Sequence, residues 1–287
     1  MMSESEPLLY QFNGMNTTFS IRLRGADPAG VESSIHTCCE LLETLESLLS
    51  RYRHDSDISR INHMQTGDEL LIDPKTHECL KRALQACEAT QGLFDATLGQ
   101  QVTHRKDNQT GKAPSPAGQL KITDDRPMVQ CLAAGRQIDL GGIGKGYALD
   151  QWAQVLKPLQ LESVLLSAGT STHLAFGDYA WPIEMIHDQE EGRNSYSLGS
   201  EGFSVSGVQM QGNHLVHPDE PDEIGLPLKQ VWVAHPSATY ADAFSTACLL
   251  MQPEELHDFF VSQPDLTFLQ AEPACGQGLI TCSDTAR

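Results

Sequence analysis

Ile138-Asp139-Leu140-Gly141-Gly142-Ile143-Gly144-Lys145-Gly146-Tyr147-Ala148-Leu149-Asp150 is the stretch on which the reading of this chain turns. Its glycines, one lysine and two carboxylates stand between a strand-like run and a helical one. Glycine lets the backbone approach a ligand closely. A helix start presents unpaired N–H groups to an anion. Phosphate is therefore the natural ligand of such a junction. Neither familiar phosphate loop fits, however. In a P-loop, Gly would stand at the position of Asp139, and Ser or Thr, not Gly146, would follow Lys145. A dinucleotide fingerprint begun at Gly142 puts Tyr147 where its last glycine belongs. The residues alone leave two readings open: a phosphate-binding junction or a plain strand-to-helix turn.

Upstream of the junction, Met128 to Ala133 and Arg136 to Leu140 read as paired strands around Gly135. Before them, Gln100 to Gln119 is long and polar and reads as an excursion or loop. Gly92-Leu93-Phe94-Asp95-Ala96-Thr97 follows a helix that Asp73 caps and Pro74 starts. That helix runs to about Gln91, with Leu80, Leu84 and Cys87 inward. Arg51 to Asn62 is polar and aperiodic and reads as an ordered surface loop. Ala29 to Arg51 is helical, because Val31, Ile35, Cys38, Leu42, Leu45 and Leu49 recur at steps of four and three. Leu8 to Gln11 and Thr17 to Leu23 read as a hairpin around Asn13-Gly14.

Downstream, a helix over Lys145 to Leu156 leads into strands at Val164–Ser167, Thr172–Phe176 and Pro182–Ile186. A strand meander implies antiparallel pairing. Phe203 to Ser206, His214 to Val216 and Val231 to Ala234 continue the β character. Helices follow at Tyr240–Met251, with Thr239 as N-cap, and at Glu254–Val261. The whole predicts an α+β fold, a mainly antiparallel sheet with flanking helices, in a single domain over residues 1–287.

The chain has 287 residues, 40% of them hydrophobic, and a formal net charge of −19. It is long enough to bury a large core. The acidic balance argues against sequence-independent nucleic-acid binding and against docking on anionic membrane. A phosphate-handling site in such a chain needs a local positive charge, from Lys145 or a divalent cation. The eight cysteines form no C-x-x-C pair and no zinc spacing, and read as reduced thiols. No signal peptide, lipidation motif or membrane-length apolar run is visible, so a cytoplasmic location is expected.

Tyr240-Ala241-Asp242-Ala243-Phe244-Ser245-Thr246-Ala247 is the second chemical stretch. Asp242 and Thr246 lie one helical turn apart on one face. A carboxylate and a hydroxyl are hard oxygen ligands suited to Mg²⁺ or Ca²⁺. Equally, Asp242 could close a capping box with Thr239, and Thr246 could be an ordinary half-buried helix residue.

Taken in order, these stretches resemble the ApbE family of FAD:protein FMN transferases. The resemblance runs from Met15-Asn16-Thr17 through Tyr52-Arg53-His54-Asp55-Ser56, Arg60-Ile61-Asn62, Gly92–Thr97 and the glycine-rich junction to Ala241–Ala247. It implies a tunnelling-fold-like core with FAD in a cleft. Met15, Tyr52, Leu93, Phe94 and Asp95 would hold FAD, largely around its adenosine half, with Asp139 and Lys145 also in contact. Asp242 and Thr246 would bind Mg²⁺ by side chain and Gly142 by its backbone carbonyl. The implied reaction moves FMN from FAD to a Ser or Thr hydroxyl of an acceptor protein and releases AMP. Lys145 would hold a phosphate, and His214 is the candidate general base or a plain strand-edge histidine.

The chain departs from the family pattern in places. Gly144 replaces an alanine, and Gly169-Thr170 stands where a second Gly-Gly is common. His217 replaces the aspartate of His-x-x-Asp-Pro, and the following Thr-Gly is lost. These changes fall on the flavin or acceptor side. They keep two alternatives in view: a hydrolase that cleaves FAD to FMN and AMP, and an FAD-binding protein with reduced catalysis.

Overall fold

The computed structural model describes residues 6–107, 109–186, 194–207, 215–218, 225–275 and 278–283. In chain order its elements begin with β1 (Leu8–Gly14), β2 (Thr17–Arg24), α1 (Pro28–Leu49), α2 (Asp57–Asn62), β3 (Glu69–Leu71) and α3 (Pro74–Ala89). Then come α4 (Gly99–Lys106), β4 (Gln119–Ile122), β5 (Met128–Ala133), α5 (Gly144–Leu156), β6 (Ser163–Ala168), β7 (Thr172–Gly177) and β8 (Trp181–Met185). The last are β9 (Asn194–Leu198), β10 (Gly202–Gly207), β11 (Leu228–His235), α6 (Ala238–Cys248), α7 (Glu255–Ser262), β12 (Phe268–Pro273) and β13 (Ile280–Ser283).

Period-two alternation builds an eight-stranded sheet in the order β1-β2-β6-β7-β10-β11-β12-β13. Every neighbouring pair in it is antiparallel. The α+β reading therefore holds. The sheet is open, with β1 and β13 at its edges. Residues of one parity, among them Phe19, Ile21, Val164, Leu166, Val231 and Val233, face a core shared with the helices. The opposite parity, with Leu165, Phe203, Trp232 and Ala234, packs under the β8–β9 hairpin.

The α1 stripe is buried as its periodicity demands: Val31, Ile35, Cys38, Leu42, Leu45 and Leu49. Each large aliphatic among them contributes roughly 1.5–3 kcal/mol by leaving water. Trp152 of α5 anchors α1 by donating its indole N–H to the Cys38 carbonyl at 2.7 Å. Edge-on contacts with Phe12 and Phe19 complete its surroundings. Burial raises the Cys38 thiol pKa to about 12, as expected of a small core hydrophobe. All eight cysteines are unpaired.

Several local expectations are corrected. The first hairpin turns at Met15-Asn16, both left-handed (φ 47° and 60°), while Asn13 and Gly14 pair with Thr18 and Thr17 inside the ladder. Gly14 is needed there because a Cβ would stand 2.9 Å from the Leu42 side chain. The polar stretch after α1 holds helix α2, because Ser56 caps it and Asp57, Ile58 and Ile61 turn inward. Buried Asp57 accepts from the Asp73 N–H and the Thr76 hydroxyl, both at 2.8 Å, and so fixes the start of α3. In α3 the inward residues are Cys79, Leu80, Ala83 and Ala86; Leu84 is exposed and Cys87 half-buried. The start of the polar excursion, Gln100 to Lys106, forms most of α4. Residues 136–140 do not pair with β5, whose partners are β3 and β4; a single bridge joins Gln137 to Leu98. Leu215 and Val216 are not in a strand, and His214 lies outside the described residues.

His173 on β7 meets the Ser167 hydroxyl at 2.9 Å. Burial, reinforced by nearby Arg22, lowers its pKa to about 4. His235 is likewise lowered, again by burial first. Among the described residues no helix is long and apolar enough to cross a membrane.

Candidate active site

The glycine-rich junction is held in place before any ligand is considered. The Asn62 amide brackets Ile138, donating to its carbonyl at 3.0 Å and accepting from its N–H at 2.6 Å. Asp139 accepts from the Gly141 N–H at 2.8 Å with one oxygen and meets the Arg51 guanidinium at 2.6 Å with the other. Arg51 also donates to the Gly99 carbonyl and the Thr103 hydroxyl, which ties the end of α1 to α4. The chain then turns into α5, whose N-terminus has no side-chain cap.

Helix α6 crosses α5 at backbone contact. A Cβ on Gly146 would lie 2.1 Å from the Ala238 carbonyl oxygen. The start of α6 is capped from α5, not from within. Asp150 accepts from the Ser237 and Thr239 hydroxyls, each at 2.5 Å, and from the Ala238 and Thr239 N–H groups at 3.0 and 3.1 Å. The alternative reading, a Thr239–Asp242 capping box, is not formed, and the expected N-cap shifts: Ser237 is the N-cap, and Thr239 turns to Asp150.

Released from capping, Asp242 is 1% exposed and points at the junction. It accepts from the Gly146 N–H at 3.1 Å and the Thr172 hydroxyl at 3.2 Å. The Ser204 hydroxyl stands 3.4 Å away, and the Lys145 ammonium 3.6 Å. Thr246, one turn on, donates to the Asp242 carbonyl at 3.1 Å. Its hydroxyl lies 3.1 Å from where a Gly142 Cβ would be. Lys145 also reaches the Gly141 carbonyl at 3.3 Å. The ammonium thus meets one carboxylate and one glycine carbonyl, with the Thr246 hydroxyl held on the backbone of the same aspartate.

Above this floor opens a cleft with two adjoining lobes. One, of about 440 Å³, is lined by Met15, Asn16, Glu46, Arg51, Asp139 and Lys145 among others. The second, of about 400 Å³, is lined by Leu93, Phe94, Asp95, Gly142, Val216 and Thr246 among others. Tyr52, Asp139 and Lys145 border both. Each volume lies in the range of small-molecule sites. Tyr52 is 69% exposed, and its hydroxyl takes the Lys106 ammonium at 3.0 Å. The Arg51 guanidinium stands over its ring. Asp95 is turned into its own loop, accepting from the Thr97 N–H and hydroxyl at 2.7 Å.

The profile of the ApbE family matches residues 15–269. The chain belongs to the ApbE family. A Treponema pallidum protein named FAD:protein FMN transferase is 25% identical, across 84% of this chain and 78% of its own. A Salmonella typhimurium protein of the same name is 24% identical, across 85% and 78%. The apo structure of Pseudomonas stutzeri flavinyl transferase ApbE superposes with a TM-score of 0.82 at 24% identity, covering 99% of this chain and 96% of that one. The Thermotoga maritima ApbE protein gives 0.81 at 20% identity, with 98% of each covered.

Within this ApbE chain, ten of the eleven residues singled out from sequence border the cleft or its floor: Met15, Tyr52, Leu93, Phe94, Asp95, Asp139, Gly142, Lys145, Asp242 and Thr246. The eleventh, His214, lies outside the described residues. Sequence reading missed Arg51, Asn16, Glu46 and Lys106 as cleft residues, and Thr172 and Ser204 as partners of Asp242. Arg51 stood beside Tyr52, but neither charge nor spacing tied it to Asp139 across 88 residues. His217, the residue that replaces the family aspartate, lines a neighbouring cavity of about 290 Å³ with Arg105, Leu250 and Gln252.

Among the described residues no three His, Cys, Asp or Glu side chains gather into a metal cage. The donors that do converge are nonetheless all hard oxygens. A cation that takes few protein ligands and completes its shell with phosphate and water suits them, and Mg²⁺ behaves so.

Proposed function

We propose that this ApbE protein is a flavin transferase that moves FMN from FAD to a Ser or Thr hydroxyl of an acceptor protein, with Mg²⁺, and releases AMP. One observation carries the reading: Asp242, Thr246, Gly142 and Lys145 converge under a cleft walled by Met15, Tyr52, Phe94 and Asp139. The names of the relatives support the transfer of FMN from FAD to protein.

The cleft residues bind and orient FAD. Tyr52 offers an exposed ring for the adenine face. Lys145 meets the pyrophosphate as a point charge. Asp242, Thr246 and the Gly142 carbonyl would hold Mg²⁺, which offsets charge developing on the transferred phosphoryl group. The acceptor oxygen bonds to the phosphorus nearer the flavin, and the bond from that phosphorus to the bridging oxygen breaks. AMP departs with that oxygen. The hydroxyl proton passes to a base, and His214 is proposed for that role.

The test incubates purified protein with FAD and a pool of Ser- and Thr-containing peptides, with Mg²⁺ or with EDTA. Peptide-bound flavin fluorescence and AMP in equal amounts, lost in EDTA, is the expected result. AMP released at the same rate without peptides would replace transfer by FAD hydrolysis. FAD binding with no AMP in any arm would refute catalysis.

A further inference from the structure

A carboxylate as deeply buried as that of Asp242 is costly without an opposite charge. Its hydrogen-bond donors are neutral: the Gly146 N–H, the Thr172 hydroxyl and the Ser204 hydroxyl. Its one ion-pair partner among the described residues is Lys145, at 3.6 Å. That ammonium has a second, marginal anchor in the Gly141 carbonyl at 3.3 Å. Its side chain is 20% exposed and borders both lobes of the cleft. The four-carbon stem of lysine lets a charge relocate at small cost.

Resting on the reading of this cleft as an FAD and Mg²⁺ site, we propose that Lys145 serves as an internal substitute for the divalent cation. In the unloaded protein its ammonium neutralises Asp242. A cation arriving alone at Asp242 and Thr246 meets a like charge a few ångströms away and binds weakly. A pyrophosphate entering the cleft draws the ammonium off Asp242 and opens the carboxylate to the cation. Cation and nucleotide therefore load as a pair, and each raises the affinity of the other by the same factor. Lys145 is thus a positioning residue for the cation as well as a phosphate contact.

The test reads cation binding, not turnover. Mn²⁺ is titrated by electron paramagnetic resonance into wild type, Lys145→Met and Asp242→Asn, first without nucleotide and then with saturating ADP, an unreactive carrier of the adenosine pyrophosphate. Free Mn²⁺ is corrected for its complex with ADP. Without nucleotide, Lys145→Met should bind Mn²⁺ about tenfold tighter than wild type, inside the 5–150-fold range usual for coupled sites. Asp242→Asn should lose most binding. With ADP, the affinity of wild type should rise by a larger factor than that of Lys145→Met. Lys145→Gln provides a second neutral variant, and melting curves verify that each variant is folded. If the neutral variants bind Mn²⁺ no tighter than wild type while Asp242→Asn abolishes binding, the substitution of lysine for cation is overturned and the metal site stands. If Asp242→Asn binds as wild type does, the metal site itself fails.

Discussion

Gly146→Ala sets two physical effects of opposite sign against each other. On helix propensity alone, alanine in α5 should stabilise the protein by about 1 kcal/mol. The crossing with α6 says otherwise. A Cβ at Gly146 would stand 2.1 Å from the Ala238 oxygen, 2.6 Å from its carbonyl carbon and 2.9 Å from the Thr239 Cα. All three are backbone atoms, so no side chain can rotate away, and overpacking of this kind costs about 3 kcal/mol or more. Separating the helices also stretches the Gly146 N–H bond to Asp242, now 3.1 Å. A hydrogen bond to a charged group is worth roughly 1.5–3 kcal/mol. The net expectation is a loss of about 3–4 kcal/mol, or a melting midpoint lower by roughly 5–7 °C at this chain length. Gly144→Ala is the control, because its Cβ would meet nothing closer than the Leu140 Cβ at 3.9 Å. It should be neutral or slightly stabilising. Urea unfolding followed by circular dichroism measures both. A Gly146→Ala protein as stable as wild type would refute the claim that the two backbones touch.

Asp150→Ala removes the carboxylate that caps α6, and should cost about 2–4 kcal/mol by the same unfolding assay; a loss below 0.5 kcal/mol (on the order of a surface substitution) would mean that Ser237 caps the helix unaided. Tyr52→Ala should weaken FAD binding in a fluorescence titration while leaving the melting midpoint nearly unchanged, since the ring is 69% exposed; equal FAD affinity would remove Tyr52 from the site. Acid should destabilise the fold through His173: its folded pKa of about 4 lies below the ordinary histidine value of 6.5, so between those values the unfolded chain binds more protons and stability falls as pH drops. Replacing it as His173→Gln should flatten the urea midpoint against pH over that window, and an unchanged slope would show that His173 is not the group responsible.

The periodic parts of this fold were legible because their period is set by what they bury. The α1 stripe and the strands of the large sheet are cases where local pattern and core agree. The elements missed were short and polar. Helix α2 buries Asp57 and Ser59, whose partners lie on α3 and within α2 itself, so composition alone marks the segment as surface. Helix α4 owes its place partly to Gly99, where a Cβ would stand 2.8 Å from the Gln137 carbonyl oxygen, a contact with no local signature. The candidate site divides in the same way. Asp242 and Thr246 share a helix face, which sequence spacing displays. That Asp242 is free to face the junction depends on Asp150, 92 positions earlier, taking over the cap; no spacing rule encodes such an exchange.

That exchange explains why the glycine-rich stretch and the Asp/Thr helix work as one unit. Ala238, the first residue of α6, is gripped from two sides. A Cβ on Gly146 would strike its carbonyl, and a Cβ on Gly202 of β10 would lie 2.6 Å from its nitrogen and its Cα. Asp150 binds its N–H at 3.0 Å. Two glycines and one carboxylate, from a helix and a strand, therefore fix the first turn of α6 against both elements. Asp242 stands one turn further on, so its position is inherited from that grip. The same helix that supplies Gly146 and Asp150 supplies Lys145, which faces Asp242 at 3.6 Å. A shift of α5 would move the clamp, the cap and the counter-charge together. The separation of the backbones that carry Lys145 and Asp242 is thus the quantity this crossing holds constant, and small residues at 146 and 202 are the condition for it.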